Sequence, residues 1–202
     1  MSLLALFPLK DWRLAYGLTA MVETGTHRGA GVAAAFEAGF PKVFSCDVSV
    51  EFVSLAAGFF DTYVQEDSLI LHALSSEQAL PLMLSALSGP ALFFLDAHVN
   101  PSMFASDLVD TDANPLPLMR ELEIIRQIRG DCERDVFVLD DMAFYLQQYW
   151  IGPDQTRIMK LPDCVPELRD AEHLVSLFFP KHTWSVVQNP DVALVLLPRG
   201  GR

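Results

Sequence analysis

The stretch Ala20-Met21-Val22-Glu23-Thr24-Gly25-Thr26-His27-Arg28-Gly29 decides how the rest of the chain is read. A short apolar run ends at a carboxylate, one glycine follows two positions later, and a second closes the turn. An Ala-rich segment then begins at residue 30. A strand that passes straight into a helix must bend sharply, and Gly25 tolerates the positive φ that such a bend requires. Gly29 and Gly31 let the helix turn and a bound molecule approach the backbone closely, and a helix start offers N–H groups with no partner inside the helix. The reading is a strand, a glycine turn and a helix that hold a nucleotide-type cofactor. A tight turn with a purely structural role is the alternative.

Outward from this turn, short apolar runs alternate with longer amphipathic ones. Residues 30–38 predict a helix closed by Gly39. Val43–Cys46 predicts a strand ended by Asp47, residues 50–63 a helix, residues 69–73 a strand, and residues 77–87 a helix stopped at Ser88-Gly89-Pro90. Ala91–Leu95 is a fourth strand ending in Asp96-Ala97-His98. In residues 118–128, Leu118, Leu122, Ile125 and Ile128 share one helical face. Val136–Leu139 is a fifth strand ending in Asp140-Asp141, residues 167–179 read as a helix, and residues 184–188 and 192–197 as a closing strand pair. Alternating strands and helices imply parallel pairing with right-handed crossovers, and continuously apolar strands imply a sheet covered on both faces. The last connection is too short for a helical crossover and requires an antiparallel hairpin. The expected fold is α/β: a doubly wound, Rossmann-like, mostly parallel seven-stranded sheet with an antiparallel C-terminal hairpin. It spans residues 1–202 as one domain, with its site outside the carboxyl ends of the strands.

Composition narrows the function. The 202 residues are 51% hydrophobic, enough for a sizeable core. No apolar stretch reaches the roughly eighteen residues a membrane helix needs. Residues 1–8 lack the basic leader and cleavage site of a secretory signal. A formal charge of -12 without a basic run argues against a nucleic-acid partner. Three scattered cysteines suggest neither a disulfide framework nor a zinc pattern, so a reducing, cytoplasmic setting is expected.

The acidic residue at the first strand end separates candidate cofactors. A dinucleotide's pyrophosphate would be repelled by Glu23, and the Gly-x-Gly-x-x-Gly spacing is absent, which disfavours an NAD-dependent oxidoreductase. A cofactor that is cationic at this point, such as the amino group of S-adenosylmethionine, fits, and Asp47 can accept hydrogen bonds from ribose hydroxyls. On these residues the chain resembles the class I S-adenosylmethionine-dependent methyltransferases. Their first motif is an acidic residue, any residue, Gly, three of any kind, then Gly (here Glu23, Gly25 and Gly29), and their second acidic residue ends strand two (here Asp47). The resemblance implies a cofactor set of Glu23, Gly25, Thr26, Gly29, Asp47, Ser76 and Asp96. Where the family often carries an acid after strand three, this chain reads Ala73-Leu74-Ser75-Ser76, leaving Ser76 or Glu77 for the adenine.

Asp96 and the Asp140-Asp141 pair end neighbouring strands and should converge on one crevice. Three acids there repel one another unless protons or a cation compensate, and Mg²⁺ with oxygen ligands is an economical solution. The arrangement resembles metal-dependent small-molecule O-methyltransferases, including those acting on catechols and on macrolide or aminocoumarin sugars. It implies Asp96, Asp140 and Asp141 as metal ligands. His98 stands where the sugar-modifying members carry an acidic residue that acts as base, and is the candidate base here. The implied reaction is attack of a small-molecule hydroxyl on the sulfonium methyl group. A small-molecule acceptor is the expected partner, with no nucleic acid and no membrane, and a homodimer is left open. Strand-end Asp residues that merely cap helices are the alternative for the metal set, and a cofactor-binding domain without activity is the alternative function. Residues 100–117 suit a lid. Phe144, Tyr145, Tyr149 and Trp150 either wall an acceptor pocket or pack a following helix. Glu121 and Glu123 are expected on a solvated helix face, with entry of Glu121 into the cleft as the minor alternative.

Overall fold

The computed structural model describes residues 3–97, 117–130, 132–140, 142, 149–151, 158–160, 170–188 and 192–200. A 3-10 turn at Leu3–Leu6 leads into α1 (Leu9–Tyr16). Then follow β1 (Ala20–Thr24), α2 (Ala30–Glu37), β2 (Val43–Cys46), α3 (Val50–Phe59), α4 (Asp61–Gln65), β3 (Leu69–His72), α5 (Ser76–Ala86) and β4 (Ala91–Leu95). The second half has α6 (Leu118–Arg129), β5 (Val136–Leu139), a small hairpin of β6 (Tyr149–Ile151) and β7 (Ile158–Lys160), α7 (Ala171–Phe178), β8 (His182–Gln188) and β9 (Val192–Pro198). The described residues form a seven-stranded sheet in the order β3-β2-β1-β4-β5-β9-β8. The pairings from β3 to β5 are parallel, and β9 runs antiparallel to both β5 and β8. This is the expected doubly wound α/β sheet with its antiparallel closing hairpin.

Every residue of β1, β2, β4 and β5 is buried, because helices cover both faces. One face packs Val22, Phe93 and Phe137 against Leu80, Met83, Leu122, Ile125 and Phe178. The other packs Met21, Leu92 and Val138 against Leu4, Val32 and Ala35. Phe93 and Phe137 stack across neighbouring strands with centroids 4.8 Å apart. Among the described residues no helix is long and apolar enough to cross a membrane.

Three departures from the sequence reading have local causes. The helix expected over residues 50–63 is two helices, broken where Phe60 leaves helical geometry (φ -118°, ψ 31°). The Phe60 ring turns inward beside Gly29 and Phe36 rather than continuing the helix face. Helix α7 starts at Ala171, where the Asp170 carboxylate accepts hydrogen bonds from the Glu172 and His173 N–H groups. Tyr149 and Trp150, read either as walls of an acceptor pocket or as packing of a following helix, lie on strand β6, in line with the strand preference of aromatic and β-branched residues. The N-terminal 3-10 turn and α1 were not anticipated as elements, yet Leu4 is wholly buried against the α2 side of the core.

The end of the sheet away from the strands' carboxyl termini is tied by charge. Asp135, immediately before β5, takes both Nε and Nη2 of Arg129 at 2.8 and 2.7 Å and also accepts from the Ala91 N–H at 2.8 Å. Arg129 Nη2 donates as well to the Gly89 carbonyl. One carboxylate thus joins the end of α6 to the starts of β4 and β5. His182 Nε2 meets the Asp135 carbonyl at 2.9 Å, and burial lowers the imidazole pKa, favouring its neutral form. Removing one partner of a buried bidentate pair leaves the other charge uncompensated, so Asp135→Ala should lower unfolding free energy by about 3–5 kcal/mol, read from urea denaturation. A loss under about 1 kcal/mol would place this ion pair with ordinary surface pairs.

Candidate active site

The strand order reverses between β1 and β4: the chain winds from β1 to β3 in one direction, then from β4 outward in the other. The carboxyl ends of β1 and β4 diverge there, and an open α/β sheet has its natural crevice at that point. The glycine turn lies across it. The Gly25 and Thr26 N–H groups both donate to the Cys46 carbonyl, at 2.9 and 3.0 Å, which ties the turn to the end of β2. On the other side the Asp96 N–H donates to the Thr24 carbonyl at 3.1 Å. Gly25 has φ +90°, and a Cβ there would lie 2.4 Å from the Asp96 carbonyl oxygen, so no side chain fits. Gly29 has φ +76°, and its missing Cβ leaves room for the Phe60 ring rather than for a ligand.

Beneath the turn runs a buried polar chain. Ser45 Oγ donates to Glu23 Oε2 at 2.6 Å, and the Thr26 and Ser45 hydroxyls are 2.6 Å apart. Because the Ser45 proton goes to Glu23, Thr26 is the donor in the second bond. Glu23 is 1% exposed, and a Cβ on Gly31 would sit 1.8 Å from its Oε1. Gly31 therefore makes room for a carboxyl under α2 and not for a ligand above it. Burial raises the Glu23 pKa to about 8, against the pull of the Ser45 hydrogen bond and with help from Asp96 and Asp47.

Asp47 is half-buried at the end of β2. Its Oδ2 accepts from the His27 N–H at 2.8 Å and its Oδ1 from the Ser49 N–H at 2.9 Å. His27, at φ 44°, is exposed, with its ring against Phe52. Glu23, Gly25, Thr26, Gly29 and Asp47 are thus gathered around one turn, with the Asp96 backbone touching it.

Asp96 and Asp140 also come together. The Asp140 N–H donates to the Leu95 carbonyl at 3.0 Å, and both acids line one recess with Leu118 and Glu121. Among the described residues no three His, Cys, Asp or Glu side chains come together in a group that could hold a metal ion. Asp141 and His98 lie outside the described residues, as do residues 100–116, Phe144 and Tyr145.

Glu121 is the residue that the sequence reading misplaced. It is 1% exposed, whereas Glu123 is exposed and pairs with Arg120 at 2.9 Å. The signal was available: residue 121 lies three after Leu118 and four before Ile125, on the buried stripe of α6. Burial raises the Glu121 pKa to about 7, opposed by hydrogen bonds from Ser76 and Thr24 and reinforced by the charges of Asp96 and Glu77. Ser76, expected at the adenine, is itself buried on the first turn of α5 and turned to Glu121.

No protein-family model matches the chain, and no curated protein matches it in sequence. Solved structures do match its fold. A methyltransferase of Podospora anserina, SAH-bound, aligns with a TM-score of 0.55 at 16% identity, over 95% of this chain and 76% of that one. An O-methyltransferase of Bacillus cereus, in complex with SAH, gives 0.54 at 13% identity, over 94% and 78%. Human methyltransferase-like protein 13, also in complex with SAH, gives 0.54 at 14% identity, over 96% and 78%. The chain has the fold of the class I S-adenosylmethionine-dependent methyltransferases.

The two buried carboxyls set a pH dependence. Both folded values lie above the ordinary 4.5, so the folded state holds these protons more tightly than the unfolded chain. The stability they contribute is complete below about pH 4.5 and is lost as the pH rises through about 7 and 8. The melting temperature should therefore fall from about pH 4.5 to about pH 8 and level off above it, and Glu23→Gln should flatten the part of that fall that lies nearest pH 8. Parallel pH profiles for the two proteins would show that Glu23 does not titrate in this range.

Proposed function

We propose that this chain binds S-adenosylmethionine across the β1–α2 turn and transfers its methyl group to a hydroxyl of a small molecule. The observation that supports this most is the joint position of Gly25 and Asp47. A turn that tolerates close approach lies at the switch point, and a carboxylate stands one strand away, in a fold that the Podospora anserina and Bacillus cereus proteins share and in which they hold SAH.

In this reading Gly25 and Thr26 offer backbone to the cofactor, and Gly29 closes the turn, with the Phe60 ring against it. The Thr26 side chain faces Ser45, so its contribution is main-chain only. Asp47 is oriented by the His27 and Ser49 N–H groups and has lone pairs left for ribose hydroxyls. Glu23 supports the turn from below through Ser45 and Thr26, so its part is to position the residues that make contact. Asp96 borders the amino-acid end, and Glu77 bounds the adenine end at the start of α5, while Ser76 is turned to Glu121.

When bound, the cofactor supplies an electrophilic methyl group on a sulfonium sulfur. The protein must hold the acceptor oxygen in line with that methyl group, keep water out and receive the hydroxyl proton. His98 is the proposed proton acceptor, two residues beyond Asp96. The Mg²⁺ set of Asp96, Asp140 and Asp141 is a separate and finer proposal. The described residues assemble no such ligand group, and nothing above depends on the ion.

Calorimetry with S-adenosylhomocysteine tests the reading directly. Saturable heat is expected, and none at millimolar ligand would sink it. Hydrogen bonds to a charged acceptor are worth about 1.5–3 kcal/mol, so Asp47→Ala should weaken binding roughly 10- to 100-fold. An unchanged affinity would remove Asp47 from the ribose site. Once an acceptor is in hand, loss of turnover in EDTA with recovery in Mg²⁺ would establish the metal set, and indifference to EDTA would dismiss it.

A further inference from the structure

His27 lies between two positive-φ glycines, Gly25 and Gly29, and itself holds φ 44° with a full side chain. L-residues rarely adopt this left-handed backbone, and strain of this kind persists only where the surroundings hold it in place. A glycine there would be unstrained and would keep the same N–H group, so what histidine adds is its ring. That ring is exposed and stands at 61° against Phe52, with centroids 4.5 Å apart. Four contacts then close a circle. The His27 N–H donates to Asp47 Oδ2 at 2.8 Å, and the Ser49 N–H donates to Asp47 Oδ1 at 2.9 Å. The Phe52 N–H donates to Ser49 Oγ at 3.3 Å, and the Phe52 ring returns to His27. Asp47, Ser49 and Phe52 belong to one segment, from the end of β2 into the first turn of α3. Within the circle His27 alone comes from the glycine turn, so it is the member that ties the carboxylate to that turn.

We propose that His27 is a positioning residue for the cofactor: its ring, clasped to Phe52, holds the left-handed backbone that aims the His27 N–H at Asp47. Both carboxylate oxygens are then fixed, by donors from two different elements, before any ligand arrives. A carboxylate held by one N–H can rotate about its side-chain bonds. Its apparent affinity for a ligand then falls with the fraction of time it spends in the competent orientation. The clasp works through ring contact and not through charge, because an edge-to-face pair needs only the face of one ring and the edge of another. The imidazole nitrogens take no part, and the residue touches neither the transferred methyl group nor the acceptor. The purpose assigned to the clasp rests on the cofactor reading of Asp47; the existence of the clasp does not.

The test compares His27→Gly, His27→Phe, Phe52→Leu and the double variant His27→Gly/Phe52→Leu, each in the full chain. Hydrogen exchange of the residue-27 amide, corrected for the intrinsic rate of each sequence, reads the clasp without any ligand. Calorimetry with S-adenosylhomocysteine reads its effect on the site. His27→Gly and Phe52→Leu should each speed exchange and weaken binding roughly three- to tenfold, the range an aromatic pair supplies. The double variant should lose no more than either single one, since both remove the same contact. His27→Phe keeps a ring without its nitrogens and should restore both readouts to within about twofold of the wild type. His27→Gly also relieves the backbone, so its melting temperature should equal or exceed that of the wild type while its affinity falls. General structural support would instead move the two together. Unchanged exchange in both His27→Gly and Phe52→Leu would overturn the clasp. The positioning role is refuted by an affinity that His27→Gly leaves intact or that His27→Phe fails to restore. It is refuted equally by additive losses in the double variant, or by an affinity that falls only in step with the melting temperature. Should Phe52→Leu fail to fold, the two single His27 variants, at an exposed position, still decide. If S-adenosylhomocysteine does not bind the wild type, the methyl-transfer reading fails, and exchange at residue 27 still decides the clasp.

Discussion

The contact between Gly25 and the Asp96 carbonyl governs the working end of this molecule. Two parallel strands that lead into helices on opposite faces must part at their carboxyl ends, and a crevice opens wherever the winding direction reverses. In this chain the first strand's turn leans back across that crevice until its backbone meets the end of β4, with room for a hydrogen atom and nothing larger. Hydrogen bonds from Gly25 and Thr26 to Cys46 hold the other side. The turn is pinned between β2 and β4, and both Asp47 and Asp96 take their places from it.

Adjacent residues on a strand face opposite ways, and the end of β1 uses this twice. Glu23 points under α2 and joins Ser45 and Thr26. Thr24 points to the other face, where its side chain meets the carboxyl of Glu121 beside Ser76. One strand end thereby carries a buried carboxyl on each side of the sheet, each supported by hydroxyls. Desolvation dominates at both, raising their pKa values into the neutral range, and the negative charges nearby act in the same direction. The difference between the two is satisfaction. Glu23 sits within a hydrogen-bonded chain that braces the turn, whereas Glu121 keeps one buried oxygen without a hydrogen-bond partner.

Much of the frame was legible. Val43–Cys46, Ala91–Leu95 and Val136–Leu139 emerge with the expected bounds, since a strand covered on both faces must be apolar throughout and polar residues delimit it. The closing hairpin followed from the shortness of its connection. Elements held by packing were harder to see. Helix α1 shows little beyond a short amphipathic run, and the break at Phe60 exists because a space beside Gly29 accepts an aromatic ring. At the site, Gly25 and Asp47 were visible because a glycine spacing and a strand-end acid are local signals. The orientation of Ser76 toward Glu121, and that of Gly31 toward Glu23, were not.

What the sequence by itself determined, then, is the alternation of buried strands and amphipathic helices, the sharp turn after β1 and the acids at strand ends. All of these are written in neighbouring residues and their period. The tertiary structure alone decided which acids are buried and what they meet. Glu23 lies beneath the turn and not at its mouth, and Glu121 belongs to the recess at β4 and β5. The physical reason is that a carboxyl's role depends on its desolvation and its partners. Those are supplied by strands and helices distant in sequence, so no local spacing encodes them.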